Sequence, residues 1–129
     1  MRAATETRMV SVMLVEDNAA FRGLVASLVN RQPDLEVVAQ TSSLEEARRS
    51  AASVGCDVAV LDLDLPDGSG ADLIMELREL CPDSAALVFS ATLVPKTLAR
   101  VREAGAEEVL DKFATPAEVL EAIRRLGYG

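Results

Sequence analysis

The chain contains no histidine and no tryptophan, and only 3% of its 129 residues are aromatic. Without an imidazole there is no Ser-His-Asp or Cys-His constellation and no histidine metal ligand. Any chemistry must come from carboxylates, hydroxyls, amines or thiols. Thiols are scarce as well: Cys56 and Cys81 are the only two, and they form no CxxC pair. They read as reduced thiols of a cytosolic protein rather than as a disulfide. No run reaches the roughly 18 apolar residues of a membrane span, and the polar start, Met1 to Arg8, is no signal peptide. A cytoplasmic location with no membrane partner is expected. Basic residues are also short, 13 Lys and Arg against 21 Asp and Glu, for a net charge of −8. A nucleic-acid backbone needs a basic patch, so this domain is not expected to bind DNA or RNA directly.

What is present is aliphatic. Half of the residues are hydrophobic, which suits a core of Val, Leu, Ile and Ala in a parallel sheet covered by helices. Residues 1–8 lack periodicity and read as a loose extension; residues 9–127 read as one domain. Five short apolar runs are strand candidates: Met9 to Val15, Leu35 to Ala39, Val58 to Leu61, Ala85 to Phe89 and Glu107 to Asp111. Between them lie helical patterns. Phe21, Leu24, Val25, Leu28 and Val29 share one helical face, and Asn18 can cap that helix. Ser43 with Glu46, Ser69 with Asp72, and Thr115-Pro116 with Glu118 look like capping signals for later helices. Leu98 and Val101 are the only large anchors of the fourth. Strands alternating with helices at this spacing imply an α/β fold, a (βα)5 doubly wound five-stranded parallel sheet with right-handed crossovers.

In a parallel sheet all strands end on one edge, where open α/β folds place ligands. Four of the five runs close on a group that can carry chemistry: Glu16 and Asp17, then Asp62, then Ser90, then Lys112. Taken alone, Asp62 reads as a strand-end loop cap. Together, three carboxylates, a hydroxyl and an ammonium form an inventory for phosphoryl transfer. Clustered carboxylates repel, which raises their pKa values or requires a cation, and an oxygen-only donor set suits Mg2+. With no histidine available, a carboxylate is the natural acceptor, giving an aspartyl-phosphate. Asp64 and Thr92 flank the expected mouth of this pocket, where they would influence hydrolysis. Arg100, Arg102, Glu103, Glu107 and Glu108 read as a solvated mixed-charge face.

These residues carry a resemblance. The acidic pair Glu16-Asp17, the stretch Asp57 to Asp62 followed by Leu65-Pro66 and Gly70, then Ser90-Ala91, and Ala104-Gly105-Ala106 ahead of Lys112 resemble a response-regulator receiver domain of two-component signalling. The match covers roughly Val10 to Leu126. The resemblance implies a flavodoxin-like strand order 2-1-3-4-5 and Asp62 as phosphoacceptor. It implies Mg2+ held by Asp17, Asp62 and the Asp64 main-chain carbonyl, with Glu16 assisting through water. It implies Ser90 and Lys112 as phosphoryl-sensing groups, and a sensor histidine kinase as phosphodonor. The implied function is a phosphorylation-controlled switch acting through the fourth-helix and fifth-strand surface, with slow self-dephosphorylation and no further enzyme activity. The run from Leu61 to Gly70 looks most like the NarL/FixJ-type branch. Its members usually carry a C-terminal helix-turn-helix domain, which regulates transcription, and none is expected within these residues. That branch also implies a homodimer through the first and last helices. Two positions depart from the family pattern. Val109 stands where receivers usually carry an aromatic switch residue, and Phe113 stands where many have proline. Val109 favours an alternative, a phosphorylation-independent interaction domain on the same fold. A flavin-binding reading fares worse, because Glu16-Asp17-Asn18 replaces a phosphate loop.

Overall fold

The computed structural model describes residues 9–91 and 93–129, so the extension expected at residues 1–8 and the side chain of Thr92 lie outside the described residues. The elements run β1 (Val10–Val15), α1 (Ala19–Asn30), β2 (Leu35–Thr41), α2 (Leu44–Ser53), β3 (Val58–Asp62), β4 (Asp64–Leu65), β5 (Gly68–Ser69), α3 (Gly70–Leu80), β6 (Ala85–Ser90), α4 (Pro95–Ala104), β7 (Glu108–Asp111) and α5 (Pro116–Tyr128). Five of the strands form one sheet in the order β2-β1-β3-β6-β7, all parallel. This is the 2-1-3-4-5 order expected from the sequence, with β4 and β5 set apart as a two-stranded antiparallel hairpin.

The sheet has two cores because both of its faces are covered. In β3 the side chains of Ala59 and Leu61 point into one cluster and those of Val58 and Val60 into the other. The first cluster is closed by Leu44 and Ala47 of α2, Leu73, Ile74 and Leu77 of α3, and Val101 of α4. The second is closed by Val25 and Val29 of α1 and by Val119 and Ile123 of α5. A strand buried on both faces is apolar along its buried length, which is why Val58 to Leu61 show no polar alternation before Asp62 closes β3. Each fully buried Leu or Ile here contributes about 2 kcal/mol by area burial.

The helix starts are chemical. Asn18 accepts from the Phe21 amide at 2.9 Å. Thr115 and Glu118 make a reciprocal capping box at the start of α5, satisfying two donors that the helix itself cannot. Two other caps differ from the sequence reading. Ser69 accepts from Ala71 N rather than pairing with Asp72. Glu46 reaches back to the Ser42 amide and hydroxyl, while Ser43 accepts from Glu46 N. The mixed-charge face is also more engaged than expected. Glu107 accepts from the Ala86 amide and pairs with Arg78, and Glu108 pairs with Arg125. Among the described residues no helix is long and apolar enough to cross a membrane.

Candidate phosphoacceptor site

The C-terminal edge of the sheet gathers the polar groups that close the strands. Glu16 follows β1 directly, and its amide donates to the Thr41 carbonyl at 2.9 Å, which fixes its backbone to the end of β2. Asp62 is the last residue of β3 and pairs in register with Phe89 of β6. Ser90 is the last residue of β6, and its carbonyl accepts from the Lys112 amide at 3.1 Å. Lys112 follows β7 and is thereby aimed across the edge.

Glu16, Asp62 and Ser90 are buried polar residues, at 5%, 8% and 6% exposure; Asp17 and Asp64 are exposed. Lys112 Nζ lies 3.1 Å from Glu16 Oε1 and 3.2 Å from Asp62 Oδ2. Burial pushes the Glu16 carboxyl up, against the opposing pull of the Asn18 amide and Lys112. Burial alone would lower the Lys112 pKa, but its hydrogen bonds to Glu16 and Asp62 outweigh that and the net shift is upward. The ammonium therefore keeps its proton and neutralises one of the nearby acids.

Carboxylate oxygens of Glu16, Asp17 and Asp62 all fall within 4.8 Å of one another. Three acids against one lysine leave a local excess of negative charge, and an all-oxygen donor set fits a hard divalent cation. The donor chemistry thus suits the Mg2+ expected from the sequence. The Asp64 amide donates to Asp62 Oδ1 at 3.3 Å, so the β4 backbone lies against the carboxylate.

Three supporting residues have a role here beyond the sequence reading, in which Phe21 is core, Asn18 is a helix cap and Arg22 has no assignment. The Phe21 ring carries Lys112 Nζ 5.2 Å from its centroid and meets Phe89 edge-on at 5.6 Å. A cation over an aromatic face is held by the ring quadrupole. Arg22 donates to the Glu16 carbonyl at 2.7 Å, and the Asn18 amide donates to Glu16 Oε2 at 3.0 Å. Their signal is position: all three stand within one or two helical turns of the acidic pair. A groove of about 350 Å³ between α1 and α5, lined by Phe21, Leu24, Leu28, Pro116 and Val119, includes Lys112 in its wall. Val109 is half-buried and packs against the core cluster beneath α4.

The family model of the response regulator receiver domain matches residues 12–124. The chain belongs to the response-regulator receiver family. It is 32% identical over 121 residues to the DNA-binding transcriptional activator DevR/DosR of Mycobacterium tuberculosis, covering 94% of this chain and 56% of that protein. The receiver therefore spans little more than half the length of that relative. Among solved structures it is similar to a LuxR-family two-component response regulator from Aurantimonas, with a TM-score of 0.87 and 29% identity over 94% of this chain and 86% of the other. It is also similar to a Burkholderia pseudomallei response regulator that holds a phosphorylated aspartic acid and a calcium ion, with a TM-score of 0.82, 28% identity, 88% of this chain covered and 66% of the other. The receiver fold and the likeness to NarL- and LuxR-type regulators agree with the sequence reading.

Proposed function

We propose that this receiver is a switch phosphorylated on Asp62 by a sensor histidine kinase, with Mg2+ held by Asp17, Asp62 and the Asp64 carbonyl and with Glu16 assisting through water. The observation that carries this reading is the convergence of Glu16, Asp17 and Asp62 within 4.8 Å, with Lys112 bridging two of them. A divalent cation at these oxygens would offset charge on the transferred phosphoryl group. The chain's own residues do the rest. An Asp62 carboxylate oxygen attacks the phosphorus of a phosphohistidine. The P–N bond breaks, and the imidazole keeps the electron pair and takes up a proton. The product is an acyl phosphate on Asp62. It carries roughly −1.5 to −2 charge where the carboxylate carried about −1, and Lys112 and Ser90 re-aim toward its oxygens. Lys112 then leaves Glu16 and its seat over Phe21, and Ser90 draws on the loop that leads to α4. The Burkholderia relative, with its phosphorylated aspartate and bound cation, supports the same chemistry here.

The partner surface belongs to the same proposal. Leu24 is 67% exposed beside the groove between α1 and α5, which supports self-association through these two helices. An attached output domain that regulates transcription would read the change at the surface of α4 and β7.

Treatment with a small phosphodonor and Mg2+, followed by intact mass, tests the central step. The expected result is a gain of one phosphoryl group that Asp62→Ala abolishes. An unchanged mass in the parent protein overturns it and favours the second reading, a phosphorylation-independent interaction domain. The packing of Val109 into the core, where no ring is available to swing, is the observation on that side.

A further inference from the structure

Asp67 stands at the tip of the β4–β5 hairpin, whose pairs are Asp64 with Ser69 and Leu65 with Gly68. Its side chain reaches out of its own turn to the start of α2. Oδ1 accepts from the Leu44 amide at 2.8 Å and Oδ2 accepts from the Glu45 amide at 3.1 Å. Those are the first two residues of α2, whose amides have no partner within the helix. Ser43, the helix's own cap, accepts from the third, Glu46 N. The two caps thus divide the free donors, one from within the helix and one from a loop more than twenty residues away. The amides of Leu44 and Glu45 hold the Asp67 carboxyl below the usual carboxylate range.

A second observation fixes the same contact. Gly68 adopts φ +152°, and a Cβ there would come within 2.6 Å of Leu44 Cδ1. The hairpin tip is pressed on the start of α2. Its base is held from the other side: the Gly70 amide donates to the Leu63 carbonyl at 2.7 Å, and the Asp64 amide donates to Asp62 Oδ1. Between these anchors Asp64, Pro66, Asp67 and Gly68 are exposed. Leu65 alone of the hairpin is buried, in the same core cluster as Leu44; the exposed residues around it depend on the bonds at the two ends.

We propose that Asp67 is a positioning residue for the phosphoacceptor site, clamping the hairpin onto α2 so that the Asp64 main chain stays aimed at Asp62. The proposal rests on the reading that the Asp64 carbonyl is a Mg2+ ligand. Without the clamp the hairpin pivots about its base, and the Asp64 amide and carbonyl lose their fixed direction together.

The test compares the parent protein with Asp67→Ala, Asp67→Asn and Ser43→Ala. Ser43→Ala weakens the same helix start without touching the hairpin. Amide hydrogen exchange in metal-free protein reads the clamp directly, and Mg2+ titration by NMR reads its consequence. In Asp67→Ala, exchange at the Asp64 amide rises about tenfold, and Mg2+ affinity falls about tenfold, as for loss of an outer-shell partner. Asp67→Asn, which keeps one acceptor, falls between. Ser43→Ala loses thermal stability but keeps both values within about twofold. The proposal is overturned if Asp67→Ala leaves Asp64 exchange within that range, or if Ser43→Ala shifts exchange and affinity equally. A parent protein that binds no Mg2+ would sink the metal reading alone, because the exchange of the Asp64 amide still decides the clamp.

Discussion

Lys112 and Asp62, fifty residues apart in the chain, meet at 3.2 Å across the edge of the sheet. The lysine is held there by the Glu16 carboxylate on one side and by the Phe21 ring on another. Removing it strands two buried acids beside each other. Lys112→Ala is expected to cost about 2–3 kcal/mol at neutral pH, toward the low side for a broken buried pair because the ammonium is partly wet. Mg2+ should restore much of that loss. Urea unfolding with and without the ion measures both effects.

Asp17 is the exposed member of the acidic trio. Neutralising it relieves repulsion while burying nothing new. Asp17→Asn should raise metal-free stability by up to about 1 kcal/mol. The same variant should lose most of the thermal stabilisation that millimolar Mg2+ gives the parent, because a ligand that binds the folded state stabilises it by mass action. A melting series over Mg2+ concentration shows whether the two curves cross.

Two glycines should respond in opposite directions to the same substitution. A Cβ at Gly70 would lie 2.7 Å from the Asp62 carbonyl oxygen and 3.1 Å from Leu63 Cα, both backbone atoms. Gly70→Ala must shift the end of β3, at a cost of about 2–3 kcal/mol. It should also slow phosphorylation of Asp62. At Gly23, inside α1, a Cβ meets nothing within 4 Å. Gly23→Ala should add about 0.5–1 kcal/mol through helix propensity alone. Denaturant midpoints and phosphorylation rates of the two variants make the comparison.

Acid should weaken the attachment of α5. Arg124 donates to both carboxylate oxygens of Asp34 at 2.9 Å, and Tyr128 donates to one of them at 3.0 Å. The Arg124 guanidinium is the main reason the Asp34 carboxyl is pulled down to about 2. A depressed carboxyl contributes stability that is present above its unfolded value, about 4, and is lost as pH falls through the folded value. Stability should therefore drop between about pH 4 and pH 2, by on the order of 1 kcal/mol after solvent screening. Arg124→Met should flatten that part of the profile. Urea titrations at several acidic pH values check the slope.

The strands were legible because four of the five close on a chemistry-bearing residue after an apolar run, which marks both the strand and its ligand-binding end. Glu16, Asp17, Asp62, Ser90 and Lys112 were found in this way, and the structure brings them to one edge. The helices were legible as faces but not as covered areas. Leu24 fits the helical face yet is exposed, and the apolar residues at helix ends, Val54 just past α2 and Leu80 closing α3, are exposed as well. The β4–β5 hairpin escaped notice because strands of two residues carry no periodicity. The double cap by Asp67 escaped for another reason: it joins residues 22 and 23 positions apart, and nothing local announces such a pair. Phe21 was assigned to the core, which is half correct. It packs on Phe89, but its open face serves Lys112.

Ile74 and Ile123 are both fully buried, yet they belong to clusters on opposite sides of the sheet. The sheet works as a bulkhead: a loss of volume on one side has no path to the other except through the backbone of the strands. Truncations at these two sites should therefore add to within about 0.5 kcal/mol. The same separation lets the two helical layers diversify at different rates. One layer can be redrawn to meet a new partner while the other keeps its shape, and the edge that carries Asp62 is common to both.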